Sequence, residues 1–208
     1  VNIDPVNKTF NNLTEEEMNI FNKIDNQEKA YMLGFMYADG NSHSKYKQIG
    51  IKLQEKDKYI LEKFLNILET KRPLYFCKKI KKSHQNQWSL KITNCILYND
   101  LIKHGVTPNK TFTTKFPTHI DLHLYKHFIR GLIDGDGWIY LAGHNRLSPH
   151  VGLICTRQIN DKLSILFEMG FKFEDEVIHF LKNKFSTKLK CAVESRDNIG
   201  ENAFQKTI

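Results

Sequence analysis

The chain contains the stretch MLGFMYADG at residues 32–40 and a related stretch, IRGLIDGDG, at residues 129–137. Each stretch is mostly apolar, carries two small residues four positions apart, and ends in Asp-Gly. The small residues are Gly34 and Ala38 in the first copy, and Gly131 and Gly135 in the second. Residues four apart lie on one face of a helix, so each copy would present a face without bulk. Two such faces allow helix backbones to pack closely, and they are our predicted helix interface.

Close packing of the two copies would bring Asp39 and Asp136 together at one end of the helix pair. Each carboxylate would lie at the negative end of a helix macrodipole, and their mutual repulsion would oppose ionisation of one of them. A divalent cation relieves both effects, and Mg²⁺ prefers carboxylate oxygens. We therefore expect both acids to bind Mg²⁺ or Mn²⁺. An ordinary buried helix that ends at Asp-Gly explains one copy equally well, but two matching copies 97 residues apart favour a shared function.

Gly40 and Gly137 directly follow the two acids. We expect both to adopt the left-handed conformation that commonly closes a helix, since glycine adopts it without strain.

Composition limits the classes of protein that fit. The chain has 208 residues, of which 40% are hydrophobic and 26% are charged, as in globular proteins. No apolar run reaches the ~18 residues that span a bilayer, and the N-terminal part lacks a signal-peptide pattern. The four cysteines contain no CxxC pair, which argues against a structural zinc site. We expect an intracellular protein that is neither secreted nor bound to a membrane.

The net charge of +8 suggests a polyanionic partner. No acidic residue occurs between Glu69 and Asp100, or from Gly137 to Asn160. A two-stranded ribbon with basic residues fits the DNA major groove and contacts phosphates, although a run of lysines is also typical of a solvated face. The predicted DNA-binding residues are Lys45, Lys47, Lys52, Lys78, Lys79, Lys81, Lys82, Lys91, Arg146 and Arg157.

Hydrophobic periodicity predicts the order helix, two strands, helix, two strands, helix in the first half. A short helix near Thr14 comes first; the first motif helix begins at Asp25 or Asn26, and strands in 41–53, a helix from Asp57, a hairpin over 74–92 and a helix at 95–104 follow. In the second half we expect a hairpin over 138–155, an additional helix within 159–172, a helix at 174–184, and strands near 188–194 and 203–208.

The two repeated stretches resemble the LAGLIDADG motif of homing endonucleases, in the form with two motifs in one chain. The resemblance implies an α+β fold of two pseudo-symmetric αββαββα halves, packed through two central motif helices, with antiparallel sheets that form a DNA-binding saddle. It divides the chain into a first repeat (1–107), a linker (108–126) and a second repeat (127–208) that lacks a counterpart of the last helix. In the family the last motif Asp binds the divalent metals, a role that falls here on Asp39 and Asp136.

Two catalytic candidates follow from the same resemblance. The turn at 105–111 is similar to the end of a family repeat, where a lysine reaches towards the cleavage site. Lys110 would therefore polarise the scissile phosphate or orient the attacking water; the alternative is a plain surface lysine. Gln54, at the end of a strand, occupies a place equivalent to Thr156, and polar residues there lie near the metals in the family.

The chain departs from the family motif at two positions. Tyr37 stands where the family usually has Asp, whereas the second copy keeps Asp134. Arg130 stands where the family usually has a small residue, and we expect it to face a backbone carbonyl or a phosphate.

Three histidines, His119, His123 and His127, are spaced four apart, which would align them on one helix face. Pro117 and the lack of an acidic or cysteine partner argue against zinc. We expect linker or interface residues.

The resemblance implies a monomeric, site-specific endonuclease that hydrolyses both strands of a long, asymmetric double-stranded DNA target with Mg²⁺ or Mn²⁺ and leaves 3′ overhangs. The alternative is a non-cleaving nucleic-acid-binding protein of the same fold, either an intron RNA maturase or a DNA-binding regulator. A third class is a metal-dependent hydrolase of small phosphates. This function would not account for the two acid-free ribbons, so we rank it last.

Overall fold

The computed structural model describes residues 19–81, 83–142, 148–168, 190–196 and 204–207. The helices and strands in chain order are α1 (Gln27–Ala38), β1 (Gly40–His43), β2 (Gln48–Gln54), α2 (Lys58–Ile67), β3 (Tyr75–Cys77), β4 (Gln87–Thr93), α3 (Cys95–Lys103), α4 (Tyr125–Asp136), β5 (Gly137–Ala142), β6 (Ser148–Thr156), α5 (Arg157–Glu168), β7 (Lys190–Arg196) and β8 (Phe204–Thr207). Short 3₁₀ helices lie at Glu55–Asp57, Lys110–Phe112 and Leu122–Leu124. The predicted α+β class is confirmed. The helices expected near Thr14 and at 174–184 lie outside the described residues.

The first sheet has the strand order β1-β2-β4-β3, and every neighbouring pair is antiparallel. Ile51 lies opposite Leu90, and both side chains are buried. Side chains alternate along a strand, so the next residue on each strand, Lys52 and Lys91, belongs to the opposite face. Both lysines are exposed there. The sheet therefore has one apolar face in the core and one polar face.

The second sheet has the strand order β5-β6-β7-β8, in which β6 and β7 are parallel and the other pairs are antiparallel. The predicted antiparallel pairing thus fits each neighbouring pair of the described strands except this one. A parallel pair needs a crossover connection, and α5 with residues 169–189 lies between the two strands in the chain. The helix expected within 159–172 begins at Arg157, directly after β6, much as α2 follows β2.

The centre of the core is α1. Every residue from Ala30 to Tyr37 is buried, as expected of a helix that is apolar around its circumference. On the side of α2, the rings of Phe35 and Phe64 meet edge to face with their centroids 5.4 Å apart. Asn26 caps the helix by accepting a 2.9 Å hydrogen bond from the backbone N–H of Lys29, so the predicted start of α1 is confirmed.

Gly40 and Gly137 do not adopt the left-handed conformation, and that prediction was wrong. Gly137 is extended (φ −88°, ψ 166°), and Gly40 is the first residue of β1. Each motif helix continues directly into a strand. As a result, a Cβ at Gly40 would lie 2.5 Å from the Met36 carbonyl oxygen, and one at Gly137 would lie 2.5 Å from that of Ile133. The glycines permit this close turn rather than a left-handed residue.

The three histidines, which were expected to be linker or interface residues, do not share a helix face. His119 lies in a loop, His123 in the following 3₁₀ helix, and His127 is buried in α4. Within the described residues, no helix is both long and apolar enough to cross a membrane.

Candidate metal and nucleic-acid site

The backbones of α1 and α4 are in contact through their glycines. A Cβ at Gly34 would overlap the carbonyl oxygen of Phe128, and a Cβ at Gly131 would overlap that of Tyr31. The two glycines are 97 residues apart, and so are the two residues that they contact. Since the overlapping atoms belong to the helix backbone, a larger residue at either position would force the helices apart.

The last turns of the two helices bring Asp39 next to α4. A Cβ at Gly135 would overlap that of Ala38 and would lie 3.5 Å from Oδ2 of Asp39. Asp39 follows α1, where its backbone N–H donates a 3.0 Å hydrogen bond to the carbonyl of Phe35, and Asp136 is the last residue of α4. The two acids therefore lie at the same end of the helix pair.

The electrostatic surroundings of Asp39 reflect this arrangement. Asp39 is exposed overall, yet partial desolvation of its carboxylate, the negative charge of Asp136 and, more weakly, that of Asp57 raise its pKa, whereas Lys110 lowers it; together these effects bring the pKa from 3.8 to about 6. Asp57, at the end of the 3₁₀ helix after β2, was not among the predicted site residues. Its position three residues after Gln54 was the available signal. Two acids and one lysine thus act on Asp39, so negative charge predominates around its carboxylate.

Lys110 lies at the same end of the helix pair. Its Nζ donates a 2.6 Å hydrogen bond to the carbonyl oxygen of Ala38, the residue before Asp39. Burial lowers the pKa of Lys110, whereas Asp136 and Asp39 raise it. Asn109 is left-handed (φ 56°) and turns the chain so that the 3₁₀ helix can start at Lys110. The lysine is thus directed inwards, unlike a plain surface lysine.

A pocket of about 290 Å³ opens beside Asp136 and Lys110, and Cys155 and Thr156 contribute to its lining. The hydroxyl of Thr156 donates a 2.6 Å hydrogen bond to the carbonyl of Thr114, which joins the end of β6 to the segment after Lys110. Burial, with a smaller contribution from Asp136, raises the pKa of Cys155 to about 12. The shift favours the protonated form of the thiol.

The donor atoms fit a hard cation. Mg²⁺ is usually held by one or two carboxylates together with water and substrate phosphates. In the described part of the chain, no group of three or more His, Cys, Asp or Glu side chains could hold a metal ion. The two carboxylates of Asp39 and Asp136 match the number of carboxylates that such a site usually has.

Arg130 lies over the ring of Tyr31, with its Cζ 5.0 Å from the centroid. The ammonium of Lys63, from α2, is 4.2 Å from the same centroid. The hydroxyl of Tyr31 donates a 2.9 Å hydrogen bond to Asp134 of α4. Burial raises the pKa of Asp134, whereas Tyr31, Arg130 and Lys63 lower it. These four side chains join α1, α2 and α4.

The predicted DNA-binding residues occupy several places. Lys52 and Lys91 are exposed on the polar face of the first sheet, and Lys78, Lys79 and Lys81 are exposed in the connection between β3 and β4. In the turn between β1 and β2, Lys45 lies 5.5 Å from the ring centroid of Tyr46, and Lys47 lies 4.8 Å from that of Tyr98 in α3. Arg157 is exposed at the start of α5; Lys82 and Arg146 lie outside the described residues. Gln54 is exposed at the end of β2, opposite Gln87.

No protein-family model and no curated protein sequence matches the chain. Among solved structures, the chain is similar to the I-LtrWI LAGLIDADG homing endonuclease, which was crystallised bound to target DNA. The two chains are 17% identical with a TM-score of 0.38, over 92% of this chain and 79% of that one. A likeness at this level is too low to assign the chain to that family.

Proposed function

We propose that this protein is a site-specific endonuclease that hydrolyses both strands of double-stranded DNA with a divalent cation, Mg²⁺ or Mn²⁺. One observation supports the proposal above all: the close packing of α1 and α4 collects Asp39, Asp136 and the ammonium of Lys110 in one place. Carboxylates that bind a cation, beside a lysine that can contact a phosphate, are suited to phosphodiester hydrolysis.

In this mechanism Asp39 and Asp136 would hold the cation, which would supply polarisation of the phosphate and a lowered pKa of a water molecule. Asp39 would act as an anion. Desolvation and the charge of Asp136 favour its protonated form, so the carboxyl group must first lose that proton. The ammonium of Lys110, held by the carbonyl of Ala38, stabilises the negative charge that develops on the phosphate oxygens. The attacking water would form a new bond to phosphorus and release a proton to solvent as the bond from phosphorus to the 3′ oxygen breaks. The departing 3′ oxygen would take up a proton from solvent, so that the products are a 3′ hydroxyl and a 5′ phosphate.

The polar face of the first sheet is the proposed DNA surface of the first half. Lys52 and Lys91 lie on this face, and the exposed lysines between β3 and β4 extend it. A basic strand pair of this kind fits the major groove. Because the two halves differ in their residues, each half would read a different sequence. One chain, acting as a monomer, would thus recognise a long asymmetric target and leave 3′ overhangs.

The proposal is tested by selection of cleaved duplexes from a randomised DNA library. The protein is incubated with the library and Mg²⁺ or Mn²⁺, and the ends of cut molecules are sequenced. We expect a single enriched sequence with staggered cuts, and no cutting in EDTA. Asp39→Asn should abolish cutting. Asp121→Asn, which changes an exposed acid in the connection before α4, is the matched control and should cut normally.

Other outcomes would contradict the proposal. Specific binding without nicking, unchanged by Asp39→Asn, would indicate a DNA-binding regulator. The same result with RNA as the preferred ligand would indicate a maturase. Hydrolysis of mononucleotides with little affinity for duplex DNA would indicate a hydrolase of small phosphates.

A further inference from the structure

Lys110 lies in a loop whose two ends are joined by histidines. Nδ1 of His104 and Nε2 of His119 are 2.7 Å apart, and the two rings stack with centroids 4.9 Å apart and an angle of 22°. Residues 105–118, which we call the lysine loop, connect the two histidines. Inside this loop the backbone N–H groups of Thr113 and Thr114 each donate a 3.0 Å hydrogen bond to the carbonyl of Lys110.

The contacts of His104 determine which nitrogen carries a proton. Nε2 of His104 is 2.8 Å from the carbonyl oxygen of Phe21, which can only accept, so this nitrogen carries the proton. In the neutral ring Nδ1 is then an acceptor, and Nε2–H of His119 must donate to it. His104 is only 4% exposed. One end of the lysine loop is therefore fixed by two buried or partly buried hydrogen bonds to a single ring.

Tyr37 holds the same end from α1. Its hydroxyl donates a 2.6 Å hydrogen bond to the backbone carbonyl of His104. Gly105 has a φ of 102°, and a Cβ there would overlap the Tyr37 hydroxyl, so the chain turns directly beneath it. The next residue of α1, Ala38, accepts the hydrogen bond from Lys110. The last turn of α1 therefore holds both the base of the lysine loop and its lysine.

We propose that Tyr37, His104 and His119 form a clasp that positions Lys110 beside Asp39 and Asp136. The three are positioning residues, because they contact the backbone or each other rather than the acids. Without the clasp, the loop would gain conformational freedom. The backbone of Lys110 would then no longer be held at a fixed distance from Ala38, and its side chain would form the hydrogen bond to Ala38 less often. The effect on DNA cleavage rests on the proposed function, whereas the effect on the loop does not.

Hydrogen–deuterium exchange of the full chain, read by mass spectrometry, tests the clasp without DNA. Tyr37→Phe removes the hydroxyl and keeps the ring; His119→Phe removes the hydrogen bond and keeps the stack. In both variants we expect peptides of residues 105–118 to exchange about twofold to tenfold faster, as the loss of one hydrogen bond implies, while peptides of β2 and β4 are unchanged. His119→Gln, whose amide can donate to Nδ1 of His104, should restore the slow exchange.

Two matched controls should leave exchange of the lysine loop unaltered. Tyr46→Phe changes an exposed tyrosine in the turn between β1 and β2, and His123→Phe changes an exposed histidine outside the loop. The clasp is contradicted if Tyr37→Phe and His119→Phe exchange like the parent. It is equally contradicted if exchange rises throughout the protein, because the residues would then stabilise the whole fold rather than the loop.

Cleavage of a selected duplex gives a second readout. The clasp predicts a slower single-turnover rate in Tyr37→Phe and His119→Phe with an unchanged Kd for DNA, and a recovered rate in His119→Gln. A parent that cuts no DNA while the exchange result holds would refute the nuclease and leave the clasp. A parent that cuts DNA while its variants exchange normally would refute the clasp alone.

Discussion

The hydroxyl of Tyr31 donates a 2.9 Å hydrogen bond to Asp134 across the interface of α1 and α4. The residues 97 positions away from this pair are Phe128 and Tyr37, which also contact each other: their rings meet edge to face, with centroids 5.0 Å apart and an angle of 88°. The hydrogen bond between Tyr31 and Asp134 thus occupies the position that corresponds to the aromatic contact between Tyr37 and Phe128. Tyr37 uses its hydroxyl elsewhere, on the carbonyl of His104. The ring and the hydroxyl of Tyr37 therefore both have structural roles.

The hydrogen bond of Tyr31 gives the first prediction. Tyr31→Phe would remove this partly buried hydrogen bond and should lower the free energy of unfolding by about 1 kcal/mol. Tyr59→Phe, at a tyrosine that is 64% exposed, is the matched control and should change it by less than about 0.5 kcal/mol. Urea unfolding measures both. Equal stabilities of the two variants would show that the contact does not stabilise the helix pair.

Because α1 and α4 pack so closely, the addition of a single methyl group at Gly34 should have a large effect on the free energy of unfolding. Gly34→Ala should lower the free energy of unfolding by about 2 kcal/mol, because the new Cβ overlaps the backbone carbonyl of Phe128. This is opposite in sign to the gain of up to about 1 kcal/mol expected from helix propensity alone. Gln27→Ala, in the exposed first turn of the same helix, should be nearly neutral. A thermal melt in which Gly34→Ala is as stable as the parent would contradict the packing.

Removal of the Lys110 ammonium should separate cleavage from binding. Lys110→Met should reduce the single-turnover cleavage rate about 10²-fold or more, since it removes a charge from the developing phosphate anion. The Kd for DNA should change little. Lys115→Met, at an exposed lysine five residues later, should cut like the parent. If the two variants lost activity equally, Lys110 would have no special role.

The raised pKa of Asp39 predicts a dependence of stability on pH. Between pH 3.8 and about 6 the folded state binds this proton more tightly than the unfolded chain does. The resulting stabilisation is complete below pH 3.8 and is lost as the pH rises through about 6. Because the side chain is exposed and water screens the repulsion, we expect a loss of roughly 1 kcal/mol, less than the full shift would imply.

Thermal melts of the metal-free parent and of Asp39→Asn at pH 5 and pH 7.5 measure the pH-dependent loss of stability that Asp39 causes. The Tm of Asp39→Asn minus the Tm of the parent should be larger at pH 7.5 than at pH 5. Mg²⁺ should raise the Tm of the parent at pH 7.5 and have less effect on the variant, since ligands stabilise the state that binds them. A pH-independent difference would contradict the assignment.

Local patterns in the sequence predict the parts of the fold that depend on neighbouring residues. Three features could be predicted in this way: the helix cap at Asn26, the alternation of buried and exposed residues around Ile51, and the glycine-containing helix faces at Gly34 and Gly131. Contacts between distant residues are different. His119 meets His104, and Asp57 acts on Asp39, only because tertiary packing brings them together.

The conformations of Gly40 and Gly137 were mispredicted for a similar reason. A glycine after a helix usually indicates a left-handed cap, but here the strand that follows is part of a sheet and determines the direction of the chain. The parallel pairing of β6 with β7 likewise depends on the path of the chain between them, which periodicity does not report.

A double-mutant cycle on cleavage of a selected duplex tests whether Asp39 and Asp136 serve one metal site. Asp39→Asn, Asp136→Asn and the double variant are compared in single-turnover assays with Mg²⁺. Two acids that serve one metal site should behave as a unit: each single variant should lose at least about 10²-fold in rate, and the double variant should be little worse than either. Binding of the duplex should be retained in all three. Parent-like cleavage by either single variant, or losses that simply multiply in the double variant, would contradict a shared site at the end of the two helices.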